Sequence, residues 1–170
     1  MRKELYKKLY EKQAAFYNAR PRLKGTLVWT GLILTWLSVA AYLAFATVFL
    51  LVKTPTDLDV WRILFVPASC FILASEVRIL IDRKRPYEQD GVVPLKHKTT
   101  KGKSFPSRHV VSAFVIATVI LRYLPWAGVS LLTLGAILAY TRFAEGVHYP
   151  SDLLFGAAFG IAFGLLVFIV

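Results

Sequence analysis

The stretch from Tyr140 to Asp152 reads Tyr-Thr-Arg-Phe-Ala-Glu-Gly-Val-His-Tyr-Pro-Ser-Asp and lies between two long apolar runs. A short polar link at a membrane surface has no need of Arg142, His148 and Asp152. An arginine suits a phosphate, because its planar fork donates two hydrogen bonds to two oxygens. A histidine placed four residues before an aspartate can have one ring nitrogen oriented by the carboxylate. The other nitrogen then stays free to attack. Taken alone, the stretch fits an inert loop with ordinary charged residues about equally well.

Two clusters upstream carry matching chemistry. Arg78 and Arg85 are seven residues apart, two helical turns, so both guanidinium groups leave one face before Pro86 ends the helix. The same segment also reads as a juxtamembrane basic signal, which Arg83 and Lys84 fit well. Phe105-Pro106-Ser107-Arg108-His109 opens the next apolar run. Proline and serine suit a helix N-terminus, where free backbone N–H groups favour an anion. The Ser107 hydroxyl could donate to phosphate and His109 could pass a proton, although a lone histidine at a helix start is more often structural. In the opening stretch, Pro150 is expected at the first position of the last helix. That puts Asp152 in its first turn and His148 just outside.

Helices that cross a membrane must position these clusters. The chain has 170 residues, 56% of them hydrophobic, and a mean hydropathy of +0.55. Apolar runs near twenty residues make it an integral membrane protein of one domain. The net charge of +11 is concentrated in residues 1–24 and 82–108. Nucleic acid is not the expected partner; anionic membrane lipids are, because Lys and Arg beside apolar spans set topology and attract their headgroups. The lone Cys70 can form no intramolecular disulfide and reads as a small buried residue. No cleavable signal peptide is expected, since the N-terminus is polar for too long.

The expected fold is an all-α polytopic membrane helix bundle with about five transmembrane helices and an N-terminal amphipathic helix. Residues 1–24 form the interfacial helix and residues 25–170 the transmembrane domain. Leu5, Tyr6, Leu9, Tyr10, Phe16 and Tyr17 fall on one arc, opposite Lys7, Lys8, Glu11 and Lys12. That helix is expected in the headgroup layer with its tyrosines at the interface; a solvated helix packed on the protein is the alternative. Pro21 and Gly25 mark a hinge. The spans are read as 25–52, 60–82, 107–123, 129–140 with its flanks, and 152–170. A turn through Pro125 joins the third to the fourth. Arg62 can snorkel, and Glu76 suits a helix-packing arginine better than catalysis. Gly156, Gly160 and Gly164 are spaced for the close approach of another helix of the bundle. An even number of crossings separates the three clusters, so all face one side.

These residues resemble the type 2 phosphatidic acid phosphatase superfamily. Its signature is Lys-x6-Arg-Pro, then Pro-Ser-Gly-His, then Ser-Arg-x5-His-x3-Asp. Here it reads Arg78-x6-Arg85-Pro86, Pro106-Ser107-Arg108-His109 and Thr141-Arg142-x5-His148-x3-Asp152, in order and at matching spacings over about residues 76 to 156. There are three departures. Arg78 stands for lysine, Thr141 for serine, and Arg108 for a glycine that would offer an unobstructed N–H to phosphate. The last bears on substrate choice.

The resemblance implies a metal-independent phosphatase with no cofactor. His148 would be the nucleophile, Asp152 would orient and polarise it, and His109 would protonate the leaving oxygen and then activate water. Arg78, Arg85, Ser107, the Arg108 N–H and Arg142 would hold the phosphoryl oxygens. Such a site at headgroup level suits a lipid phosphate: phosphatidic acid, phosphatidylglycerophosphate, or a polyprenyl mono- or diphosphate. Lys96, Lys98, Lys101 and Lys103 would favour a diphosphate, or are solvated lysines near anionic lipid. Phosphotransfer to another lipid and a non-catalytic anionic-lipid binder are the competing functions; Arg108 is the best support for the second. The basic N-terminus, with Arg2, Lys3, Lys7, Lys8, Lys12, Arg20, Arg22 and Lys24, favours a cytoplasmic location for itself and for the site. Lys53 and Arg122 are among the few cations opposite. Bacterial relatives with six spans place the site on the outer face, which is the alternative. Oligomeric state is left open.

Overall fold

The structure is a computed structural model that describes residues 2–52, 55–89 and 91–169, without the side chains of residues 2 and 3. Lys53, and the Arg2 and Lys3 side chains counted among the cations, therefore lie outside the described residues. The elements are α1 (Arg2–Asn18), α2 (Pro21–Val52), α3 (Asp57–Val60), a π turn (Trp61–Phe65), α4 (Val66–Ile81) and α5 (Pro86–Gln89). After the loop come α6 (Arg108–Tyr123), α7 (Pro125–Ala144) and α8 (Pro150–Gly164), closed by a 3-10 turn at Leu165–Phe168. Among the described residues, four stretches are long and apolar enough to cross a membrane: Pro21–Val52, Asp57–Gln89, Pro125–Ala144 and Pro150–Phe168. The fifth expected span, α6, has 16 residues, about 24 Å of helix at the usual rise.

α6 is the axis of the bundle. It touches α2, α4, α7 and α8, and nearly every residue from Val110 to Ile120 is buried. The glycine stripe of α8 lets it approach that axis. A Cβ on Gly160 would lie 2.6 Å from the Val111 carbonyl oxygen, and one on Gly164 would lie 2.5 Å from Thr118 Cβ. Side chains there cannot fit without separating the helices. Gly160→Leu is expected to destabilise the protein by about 1–3 kcal/mol or more, read as a lower denaturation midpoint in detergent.

The second span is irregular for a chemical reason. Pro67 has no N–H to offer the Ile63 carbonyl, and the helix widens there into its π turn. The Tyr42 hydroxyl of α2 donates to that carbonyl at 2.9 Å. Further along α4, Glu76 is exposed and pairs with no arginine among the described residues. Arg78, two residues on, turns to the opposite, buried side, so the packing role expected for Glu76 is not seen.

The turn between the third and fourth spans is tighter than expected. Leu124 alone separates α6 from α7, and Pro125 opens α7 instead of breaking the chain. Gly128 allows this, since a Cβ there would lie 2.3 Å from Leu121 Cα. α7 runs through Ala144, so Arg142 stands on its last turn and the polar link shrinks to Glu145–Tyr149.

The break after α1 falls at Ala19–Arg20, and Gly25 lies inside α2. The apolar arc of α1 divides its contacts. Tyr6, Tyr10 and Ala14 pack with Leu27, Val92, Leu95, Ala144 and Tyr149, whereas Leu5, Leu9 and Phe16 stay exposed. Tyr6 and Tyr10 thus face protein and not headgroups. Burial pushes the Tyr10 phenol up to about 12, which keeps it protonated. Its hydroxyl donates to the Val93 carbonyl at 2.7 Å and ties α1 to the loop that covers the site.

Candidate active site

The C-terminal ends of α4 and α7 and the N-terminal ends of α6 and α8 come together beneath that loop. The Ser107 N–H donates to the Asp152 carbonyl at 3.2 Å, which joins the starts of α6 and α8. Between the four ends lies a cavity of about 170 Å³. Arg78, Arg85, Arg108, His109, Arg142 and His148 line it, joined by Lys98 and Thr100. Ser107 and Asp152 are buried behind the lining. The structure therefore brings all three sequence clusters to one place.

The guanidinium groups of Arg78 and Arg85 donate to backbone carbonyls. Arg78 Nη1 donates to the Pro106 carbonyl at 2.8 Å. Arg85 donates from Nε to the Gly102 carbonyl at 3.1 Å and from Nη1 to the Val147 carbonyl at 3.4 Å. Arg142 is fixed more tightly. Its Nη1 meets Glu145 Oε2 at 3.1 Å, and its Nη2 donates to the Gly31 carbonyl at 3.1 Å and to Thr35 Oγ1 at 3.0 Å. In the site, Arg142 Nε and Ser107 Oγ are buried without a hydrogen-bond partner among the described residues. A buried donor left without a partner is costly, and such a group is an exception that calls for a physical reason.

Asp152 is fully buried and satisfied on both oxygens. Oδ1 pairs with Arg83 Nη1 at 2.6 Å. Oδ2 accepts from Ser104 Oγ at 2.5 Å and from the Tyr149 N–H at 3.0 Å. His148 Nδ1 lies 3.6 Å from Oδ2 and 3.4 Å from Ser104 Oγ. The aspartate thus approaches the imidazole without closing a hydrogen bond to it. Burial pushes the His148 pKa below the ordinary histidine value; the Asp152 contact opposes this, and the charges of Arg85 and Arg78 add to it. The imidazole is therefore neutral at neutral pH, with Nε2 as its free nitrogen.

Three residues of this arrangement escape sequence reasoning. Arg83 reads as a topological cation, yet it pairs with Asp152, donates to Ser151 Oγ at 2.8 Å and lies over the Tyr149 ring. α4 ends at Ile81, and Asp82 adopts φ 37°, so neither Arg83 nor Arg85 continues the helix. The shared helical face expected for Arg78 and Arg85 does not exist: Arg85 reaches the cavity from a non-helical link, and Pro86 opens α5 instead of ending a helix. Ser104 precedes its motif and has no spacing that announces it. Glu145 sits inside the motif's variable positions, and its ion pair with Arg142, three residues away, is the one readable hint. Among the loop lysines, Lys98 alone is half-buried; Lys96, Lys101 and Lys103 are exposed. Burial lowers the Lys98 pKa, with Arg142 and Arg85 adding to the effect.

Comparison with known proteins agrees with this architecture. The model of the PAP2 superfamily matches residues 59–170. The lipid A 1-phosphatase of Rhizobium johnstonii is 36% identical over 106 residues, which are 58% of this chain and 42% of that protein. The lipid A 1-phosphatase of Rhizobium etli is 43% identical over 106 residues, 58% of this chain and 44% of that protein. This chain thus spans less than half the length of these curated relatives. The crystal structure of Aquifex aeolicus LpxE superposes with a TM-score of 0.72 at 24% identity and covers 94% of both chains, which is a likeness of fold. The family match covers every residue of the three clusters, from Arg78 to Asp152, and on that ground the chain belongs to the PAP2 superfamily, the type 2 phosphatidic acid phosphatases.

Proposed function

We propose that this protein is an integral membrane phosphatase that hydrolyses a lipid phosphate through a phosphohistidine at His148. The observation that carries the reading is the pair of orphaned donors, Ser107 Oγ and Arg142 Nε, beside a cavity lined by arginines and two histidines. A phosphoryl group would satisfy both. Arg78, Arg85 and Arg142, with the Ser107 hydroxyl and the Arg108 N–H, would neutralise its equatorial oxygens. His148 Nε2 would attack phosphorus in line with the leaving oxygen, which would take a proton from His109. His109 would then activate water to cleave the N–P bond. Glu145 would position Arg142, and Arg83 and Ser104 would position Asp152.

The lipid phosphatase names of the relatives support a lipid substrate, as does the placement of the cavity at one end of the bundle. α1 and the site share that end, and its excess of cations supports the cytoplasmic side. The cations take over the charge neutralisation that a metal supplies elsewhere, so activity is expected to resist chelators. The test is phosphate release by the purified protein from a panel of lipid phosphates. Release is expected to be vanadate-sensitive and EDTA-resistant. Because the folded-state pKa of His148 is lowered, the neutral nucleophile persists below pH 6.5, the ordinary histidine value. The acid limb of kcat/KM should therefore lie below that pH. Label recovered on an acceptor lipid would instead identify a phosphotransferase, and binding without turnover an anionic-lipid binder.

A further inference from the structure

The glycines inside the helices are explained by close neighbours, with one exception. A Cβ on Gly31, Gly128, Gly135, Gly156, Gly160 or Gly164 would meet an atom of a neighbouring element at 3.2 Å or less. A Cβ on Gly25, which lies inside α2 one turn from its start, would meet nothing within 4 Å. Glycine is costly inside a helix, so one that nothing packs against needs another reason. Gly25 lines a groove of about 410 Å³ between α2 and the loop that covers the catalytic site. A side chain at this position would project into that groove.

The groove is polar at one end and apolar along its length. Lys24 and Lys96 line it. Lys24 is half-buried and donates to Asn18 Oδ1 at 2.9 Å. Neither lysine forms an ion pair among the described residues. Val28, Trp29 and Leu32 continue the lining along α2, and at the usual rise Leu32 lies about 12 Å deeper in the span than Lys24. Trp29 is 63% exposed, and an indole near the polar start of a span suits the interfacial layer. Two cations, a gap at Gly25 and an apolar wall beyond it follow the order of a phospholipid's phosphate, glycerol and acyl chain.

We propose that this groove binds an anionic phospholipid of the surrounding leaflet. Its phosphate lies at Lys24 and Lys96, its glycerol over Gly25, and an acyl chain along Val28, Trp29 and Leu32. The groove shares no lining residue with the catalytic cavity, and the proposal stands whether or not His148 is the nucleophile. Leu95 also lines the groove, and its N–H donates to the Glu145 carbonyl at 3.1 Å. Glu145 in turn holds Arg142. The bound lipid therefore braces the covering loop against the link that carries the partner of Arg142.

Native mass spectrometry of the delipidated, detergent-purified protein tests the site with dioleoylphosphatidylglycerol, which carries no phosphomonoester to cleave. It is expected to bind at least about tenfold more tightly than dioleoylphosphatidylcholine, which has the same chains; that is the scale of one charge-assisted hydrogen bond. Glycerol 3-phosphate, which lacks the chains, should not compete. Gly25→Leu should fill the groove and weaken phosphatidylglycerol binding at least about tenfold, with a denaturation midpoint no lower than wild type. Lys96→Gln should cut the preference over phosphatidylcholine to less than about threefold. Lys8→Gln, on α1 and outside the groove, should change neither affinity. Equal binding of the two lipids, or unchanged binding in Gly25→Leu or Lys96→Gln, would overturn the proposal. So would full competition by glycerol 3-phosphate, or a loss in Lys8→Gln as large as that in Lys96→Gln.

Discussion

Replacing His148 with alanine is expected to lower phosphate release by about 10³-fold or more, the scale on which loss of a nucleophile is felt. The argument is geometric. His148 is 3% exposed, its Nδ1 faces Asp152 and Ser104, and the residue lines the cavity that holds the arginines. Nε2 is then the one unengaged nitrogen of the ring. Glutamine at this position would keep much of the volume without the nucleophile, and should be as inactive as alanine. A thermal denaturation midpoint close to wild type in either variant separates loss of chemistry from loss of fold. Residual turnover within tenfold of wild type would place the nucleophile elsewhere.

Arg83→Ala is expected to produce the second-largest loss, about 10- to 100-fold in kcat with KM little changed. Asp152 is fully buried, whereas the Arg83 side chain is 36% exposed. Removing Arg83 strands one carboxylate oxygen. Breaking a buried pair costs about 3–5 kcal/mol; water can reach the vacated Arg83 position, so the stability loss here should be nearer about 1–3 kcal/mol. The stranded carboxylate is also free to rotate away from His148 or to take up a proton. Arg83→Lys should recover part of kcat, since a cation returns without the same reach. If Arg83 serves only as a topological cation, Arg83→Ala will change kcat less than about twofold and instead alter the orientation of the chain in the membrane.

The helices were legible because their cause is local. Apolar length is a property of the chain alone, whereas the helical spacing expected to relate Arg78 to Arg85 fails because α4 ends at Ile81. The boundaries were less legible. Pro125, expected in the turn between the third and fourth spans, instead begins a helix, because its missing N–H is harmless at a first position. At the other end, α7 continues to Ala144, so Arg142 is helical although the polar link was expected to begin at Tyr140.

The convergence of the clusters followed from counting crossings, but the partners that hold them did not. Arg83 and Ser104 reach Asp152 across 69 and 48 positions of the chain. No periodicity records such contacts. Thr35 and Gly31, from a span that carries no motif, hold Arg142 in the same way. Tertiary contacts of this kind depend on how the bundle closes around α6, which only the three-dimensional structure reports.

The most direct test of the account is to trap the intermediate. His109→Ala given an activated aryl phosphate needs no acid for the leaving group but lacks the base for water. It should release about one equivalent of phenol per protein and then stall. Alkaline quenching and mass spectrometry should find the phosphoryl group on the peptide that contains His148, and not in the His109→Ala/His148→Ala double variant. A phosphoryl group on any other residue, or continued turnover with no phosphorylated protein, would contradict the mechanism at its centre.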